Sequence, residues 1–223
     1  MSTRKNQIGM VGLALLFAVA IGVTMVVHAA LASAAVPTNT VPPATSVTGT
    51  PDATAIHDLL VRSYAVRTSG LKTGDISQFP TVFTDDSSTS LDPDRADLIK
   101  NVRSRYGGAA QSLNGNGWLT YESARVLDRQ QSLEALNRVK AAAKAQGRAL
   151  TVDELRTAAG VDGQIPATGI IDHPQKVTVN TVKVTGNRAD VTADDGAVTF
   201  QASLIKDAGG WRITGIKTLK THV

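Results

Sequence analysis

Four side chains of this 223-residue chain could carry acid–base chemistry if a fold gathers them: Tyr64, Asp75, His57 and His173. Inside an apolar pocket, Asp or His can act as a base and Tyr or Asp as the donor, because burial moves each pKa. Each residue also has a plainer structural use. Tyr64 suits a core position with its hydroxyl at a rim, and Asp75 after Gly74 suits a helix cap. His57 falls beside an apolar stripe and should face solvent. His173 follows Asp172, but adjacent side chains seldom converge on one atom. All are weak candidates, and the sequence assigns no catalytic residue.

Other chemistries find less support. The chain has no Cys, so disulfides, thiol nucleophiles, Cys-ligated zinc and a lipoprotein anchor are excluded. Its four His include no His-x-x-x-His pair. Asp92-Pro93-Asp94-Arg95-Ala96-Asp97 resembles a calcium loop only loosely, since the glycine and final glutamate are missing, and a capped helix start fits it better. Asp85-Asp86 and Asp194-Asp195 read as acidic turns. There is no Gly-x-Ser-x-Gly elbow and no Walker loop, and Gly107-Gly108, Gly115 and Gly117 are too isolated to cradle a phosphate. No metal and no cofactor is therefore expected. Net charge is +4 without a dense basic cluster, which argues against nucleic acid. Arg125, Arg129, Arg138, Lys140, Lys144 and Arg148 read as a solvated helix face that could also touch an anionic lipid or cell-wall polymer.

Helical periodicity must position the first candidates. Thr50, Pro51 and Asp52 open a helix carrying Ile56, Leu59, Leu60, Ser63, Tyr64 and Arg67 on one stripe, which Gly70 ends or interrupts. A turn at residues 72–79 leads to a short second helix closed by Val82 and Phe83. Asp92 caps a third, Arg95 to Tyr106, with Ala96, Ile99, Val102 and Tyr106 inward. Residues 118–126 alternate like a strand. Residues 130–146 read as a helix, and Thr151 with Glu154 forms a capping box for another.

After Pro174 the period changes to two. Val177, Val179, Val182 and Val184 make a strand with a bulge near Asn180. Turns at Gly186-Asn187, Asp194-Asp195-Gly196 and residues 207–210 separate three more strands. The result is a four-stranded antiparallel meander. Trp211 should share a face with Ile213, opposite Val198 and Phe200. The fold class is α+β, with helices on one sheet face.

The amino terminus sets the compartment. Arg4 and Lys5 precede an uncharged run, Ile8 to Val27, long enough at 1.5 Å per residue to cross a bilayer core of about 30 Å. Ala32-Ser33-Ala34 has the form of a signal-peptidase site, so residues 1–35 are a membrane anchor or a signal peptide cleaved after Ala34. Either way the basic end stays inside and the rest is exported. Residues 36–51 are a Pro/Thr-rich linker and 52–223 the domain.

The opening helix with Tyr64, the Gly74-Asp75 step and a tail reading strand, Gly209-Gly210 turn, then Trp211-Arg212-Ile213 resemble the NTF2-like superfamily. That resemblance covers residues 52–106 and 176–219, and it implies a cone-shaped domain with residues 118–165 as a helical insertion. Catalytic members would keep an acid and a base inside the cone, so buried ionisable groups within hydrogen-bond reach are the feature to seek there. NTF2-like domains behind one membrane helix resemble the VirB8-like group of secretion and conjugation assemblies. The implied function is a bacterial cell-envelope binding or scaffolding module without evident catalysis. Its partner would be an envelope protein or a small apolar ligand in the cone, and it could dimerise through the sheet. Ile8 to Val27 would hold it in the membrane if uncleaved. The alternatives are an exported isomerase or dehydratase, a secretion-apparatus component, or a purely structural envelope protein.

Overall fold

The first helix begins where its capping residues stand. In the structure, a computed structural model describing residues 50–161, 163 and 176–222, Thr50 Oγ1 accepts from Ala53 N at 3.2 Å and α1 runs Pro51–Thr73. The anchor run, most of the linker and His173 lie outside the described residues. Among the described residues, no helix is long and apolar enough to cross a membrane. These residues belong to one compact unit spanning 43–223.

Helix α1 passes through Gly70 and ends at Gly74, whose φ of 79° is left-handed. Gly70 is there for space. A Cβ at that position would stand 2.7 Å from the Phe79 ring, so the missing side chain admits the ring against the helix. No second α-helix follows. Residues Phe79–Thr81 make one 3-10 turn, and Phe83 then pairs in parallel with Ile213 of the sheet. The aromatic pair Phe79 and Phe83 packs edge to face, centroids 5.6 Å apart, and both rings are buried.

Helix α2 spans Pro93–Tyr106 and is capped by Asp92, which accepts from Arg95 N at 3.0 Å. Ile99 and Val102 are buried, whereas Ala96, expected on the inner face, is exposed. Helix α3 spans Trp118–Ala145 without a break, so the strand expected at 118–126 is helical. Alternation over nine residues also satisfies i, i+3, i+4 spacing, and Trp118, Glu122, Ala124 and Val126 are all buried on it. This helix is no appendage of the domain: Trp118 and Val126 belong to the main core, and Ala124 joins Ile99, Val102, Ala110 and Leu113 in a second one. Helix α4, Val152–Ala158, carries the expected Thr151–Glu154 capping box.

The sheet is an antiparallel meander, β1 Thr178–Thr185, β2 Arg188–Asp194, β3 Val198–Asp207 and β4 Gly210–Thr221, in that spatial order. Its first ladder slips between Val179 and Thr181, at the bulge the valine phase indicates. Ala189, Val191, Ala193, Phe200, Ala202, Leu204, Trp211 and Ile213 form the core face, packed with Ile56, Leu60, Phe79 and Phe83. The register corrects one expectation. Lys206 lies opposite Trp211 and Leu204 opposite Ile213, while Phe200 pairs with Thr218. The protein is thus α+β, with four α-helices and a four-stranded antiparallel sheet among the described residues.

Candidate functional site

Helix α3 starts at a residue that cannot cap it. Its N-cap is Gly117, and the missing cap is supplied from thirty-odd residues away: Asp85 Oδ1 accepts from Thr120 N at 3.0 Å, and Asp85 Oδ2 from Thr120 Oγ1 at 2.6 Å. A Cβ on Gly117 would fall 2.7 Å from Asp85 Oδ1 and Cα, so glycine is required by this close approach. From the other side Arg103 of α2 holds the same loop, donating to Leu113 O at 2.8 Å, to Asn116 Oδ1 at 3.0 Å and to Gly115 O.

The residues after Asp85 are fastened in turn. Asp86 accepts from Arg188 of β2 at 2.7 Å and from Ser88 N at 3.1 Å. The Arg188 hydrogen bond is the main reason its carboxyl lies far below the usual range. Thr89 Oγ1 meets Thr214 Oγ1 of β4 at 3.3 Å. The loop 85–92 is therefore tied to α3, β2 and β4 before it enters α2.

Between this loop and the sheet opens a cleft of about 380 Å³. That volume lies within the ~300–1,000 Å³ common for small-molecule sites. Ser90, Leu91, Asp92 and Arg95 form one wall, Trp118 closes an end, and Gln201, Ser203, Gly215, Ile216 and Lys217 make the floor. Gln201 and Ser203 alternate with buried Phe200, Ala202 and Leu204, so the floor of the cleft is the polar face of the sheet, turned away from those three residues. The Arg95 guanidinium stacks 4.9 Å from the Trp118 ring and 5.6 Å from Tyr121, and it is also paired with Asp92.

The residues singled out from the sequence lie elsewhere. Tyr64 donates to Asp195 Oδ2 at 2.7 Å. Burial, then this carboxylate, pushes its phenol well above the usual range. The other Asp195 oxygen accepts from Ala197 N and Val198 N, so the pair pins α1 to the β2–β3 turn. Asp75 is exposed and accepts from Ser77 N at 2.8 Å, making a local turn instead of capping a helix, and this hydrogen bond lowers its pKa. His57 is 44% exposed beside Asp58. Asp92 caps α2 as expected, and no three metal-ligating side chains gather among the described residues.

Three arrangements escaped the sequence reading. Glu122, 2% exposed, accepts from Arg67 at 2.9 Å and from Arg125 at 3.2 Å, putting buried ionisable groups within reach of each other. An arginine does not release its proton near neutral pH, so this cluster joins α1 to α3 and is no acid–base pair. Tyr106 donates to Asp128 Oδ1 at 2.6 Å; burial and then Asp128 push its phenol up to about 12. At the carboxyl end His222 Nε2 lies 2.6 Å from Asp194 Oδ2 and 3.0 Å from Thr199 Oγ1. A nucleophile triad needs different ring nitrogens for acid and hydroxyl, and here one nitrogen meets both. Of the basic face, Arg129 donates to Leu71 O at 3.2 Å and Arg148 pairs with Glu154 at 2.5 Å, so part of it is structural. Spacing gives no warning of these contacts, except that Gly115 and Gly117 so close together mark a tight approach.

No protein-family model matches the chain, and neither the curated proteins nor the solved structures gave a match.

Proposed function

We propose that the chain is an extracytoplasmic binding module of a bacterial cell envelope, tethered or released by its amino terminus, that uses the cleft between loop 85–92 and the polar sheet face. The observation that carries the reading is the way the cleft is built. Its loop is fastened at Asp85, Asp86 and Thr89 to three separate elements, while Gln201 and Lys217 of its floor make no side-chain hydrogen bond or ion pair among the described residues. A rigid frame around uncommitted polar groups lowers the entropic cost of holding a ligand. The NTF2-like resemblance and the basic start before Ile8 support an exported accessory protein, whether of a secretion apparatus or another envelope assembly.

Native mass spectrometry of the full chain released from its own membranes tests this. The wild type should retain a small ligand that Gln201→Trp, which fills the cleft from its floor, does not. Equal retention by both proteins, or none by the wild type, contradicts the assignment.

A further inference from the structure

We propose that the cleft takes a small organic anion, a carboxylate or phosphate on a compact body, gripped by Arg95 and Lys217. This rests on the cleft being the binding site and adds the class of ligand. The lining is rich in donors: the Arg95 guanidinium, the Lys217 ammonium, the Gln201 amide and the Ser90 hydroxyl, while the Ser203 hydroxyl is already given to Asp190 Oδ1 at 3.2 Å. Asp92 is the lining's one carboxylate, and both its oxygens are already engaged, one by Arg95 N and the other by the Arg95 side chain. Two cations against one committed carboxylate leave the cleft one positive charge in excess.

The posture of Arg95 fits the same ligand. Stacking on Trp118 and Tyr121 uses the faces of the guanidinium, and its N–H donors all lie in the plane. Among the described residues only one of those nitrogens has an acceptor, at Asp92. The remaining in-plane edge is the fork that carboxylates and phosphates accept in pairs. Lys217 faces the same space from β4, directly across the ladder from Gln201. Leu91 and Trp118 give the body of the ligand an apolar wall. The volume corresponds to about a dozen waters at ~30 Å³ each, room for a ligand of about a dozen non-hydrogen atoms. A cation would find no free carboxylate here, and a flat aromatic ligand would find one face of Trp118 covered by Arg95.

The chain has two tryptophans, so the indole region of its ¹⁵N spectrum carries a reporter that lines the cleft, Trp118, and an internal control that does not, Trp211. The full chain in detergent micelles is titrated with glycerate, glycerol phosphate and glycerol, which share a three-carbon body and differ in head group. One or both anions should shift the Trp118 indole and the Lys217 amide saturably and leave the Trp211 indole in place. Which one does so identifies the carboxylate or the phosphate. Arg95→Gln and Lys217→Gln should each weaken the anion at least tenfold while the Trp211 peak stays at its folded position. Lys217 is exposed, so its variant reports even if Arg95→Gln fails to fold. Glycerol binding as tightly as the anions would overturn the inference and leave the cleft a binding site. No saturable shift at Trp118 with any of the three would overturn both. Shifts unaffected by both substitutions would overturn the assignment of Arg95 and Lys217.

Discussion

Removing the Glu122 carboxylate should cost this protein a large part of its stability, although Glu122 touches no ligand. Its side chain is 3% exposed and sits between Arg67 of α1, itself 17% exposed, and Arg125 of its own helix. The Arg67 guanidinium in turn lies 5.0 Å from the Phe83 ring and 5.9 Å from Tyr64. Glu122→Ala strands that guanidinium among aromatic rings without its counter-charge. Breaking a buried ion pair from one side costs about 3–5 kcal/mol. The residual exposure of Arg67 lets water reach it, so the lower end, about 3 kcal/mol, is expected here. Against a typical total of about 5–15 kcal/mol that is a substantial fraction. Arg67→Met with Glu122→Met removes the buried pair together and refills the space, while Arg125, 39% exposed, keeps its access to water, so stability should return to within about 1 kcal/mol of wild type or above it. Urea unfolding of residues 50–223, followed by tryptophan fluorescence, reads both variants. A loss below about 1 kcal/mol in the single variant, or a double variant as unstable as the single, would refute the reasoning.

Trp211 is 5% exposed and donates to Asp52 Oδ1 at 2.9 Å, closing the start of α1 onto the β3–β4 hairpin. Trp211→Ala should therefore cost about 3–5 kcal/mol by the same assay, and a variant of full stability would contradict its place in the core. Arg148, then the capping contacts of Thr151, hold the Glu154 carboxyl down at about 2. A carboxyl depressed in the folded state stabilises it above the unfolded value of about 4.3 and loses that contribution as pH falls toward 2. Carboxyl ¹³C titration should accordingly place the Glu154 midpoint well below 4, and a midpoint near 4.3 would show that the Arg148 contact does not persist in solution.

Much of the scaffold is local physics and could be read residue by residue. The bulge near Asn180 follows from the slip in valine phase, the hairpins from Gly186-Asn187 and Gly196, and the capping of α1, α2 and α4 from Thr50, Asp92 and Thr151. The errors arise where tertiary contact decides. Gly70 looks like a helix stop until the Phe79 ring is placed against it. Residues 118–126 alternate well enough for a strand, and what makes them a helix includes the cap from Asp85, far back in the chain. The cleft was hidden for the same reason. Arg95, Trp118, Gln201 and Lys217 come from α2, α3, β3 and β4, and no spacing rule joins them. Tyr64, Asp75 and the histidines stand out in the sequence because those residue types titrate. In the fold Tyr64 and Asp75 serve contacts that fix turns and helix ends.

The central claim is that this domain works outside the cytoplasmic membrane, and protease access to intact spheroplasts tests it most directly. The claim rests on Arg4 and Lys5 before the run Ile8 to Val27, with no further basic residue until Arg62. Added protease should digest the domain while a cytoplasmic marker stays whole, and the mature chain should begin at Met1 or Ala35. A domain protected until the membrane is ruptured would contradict the topology, and with it the envelope function.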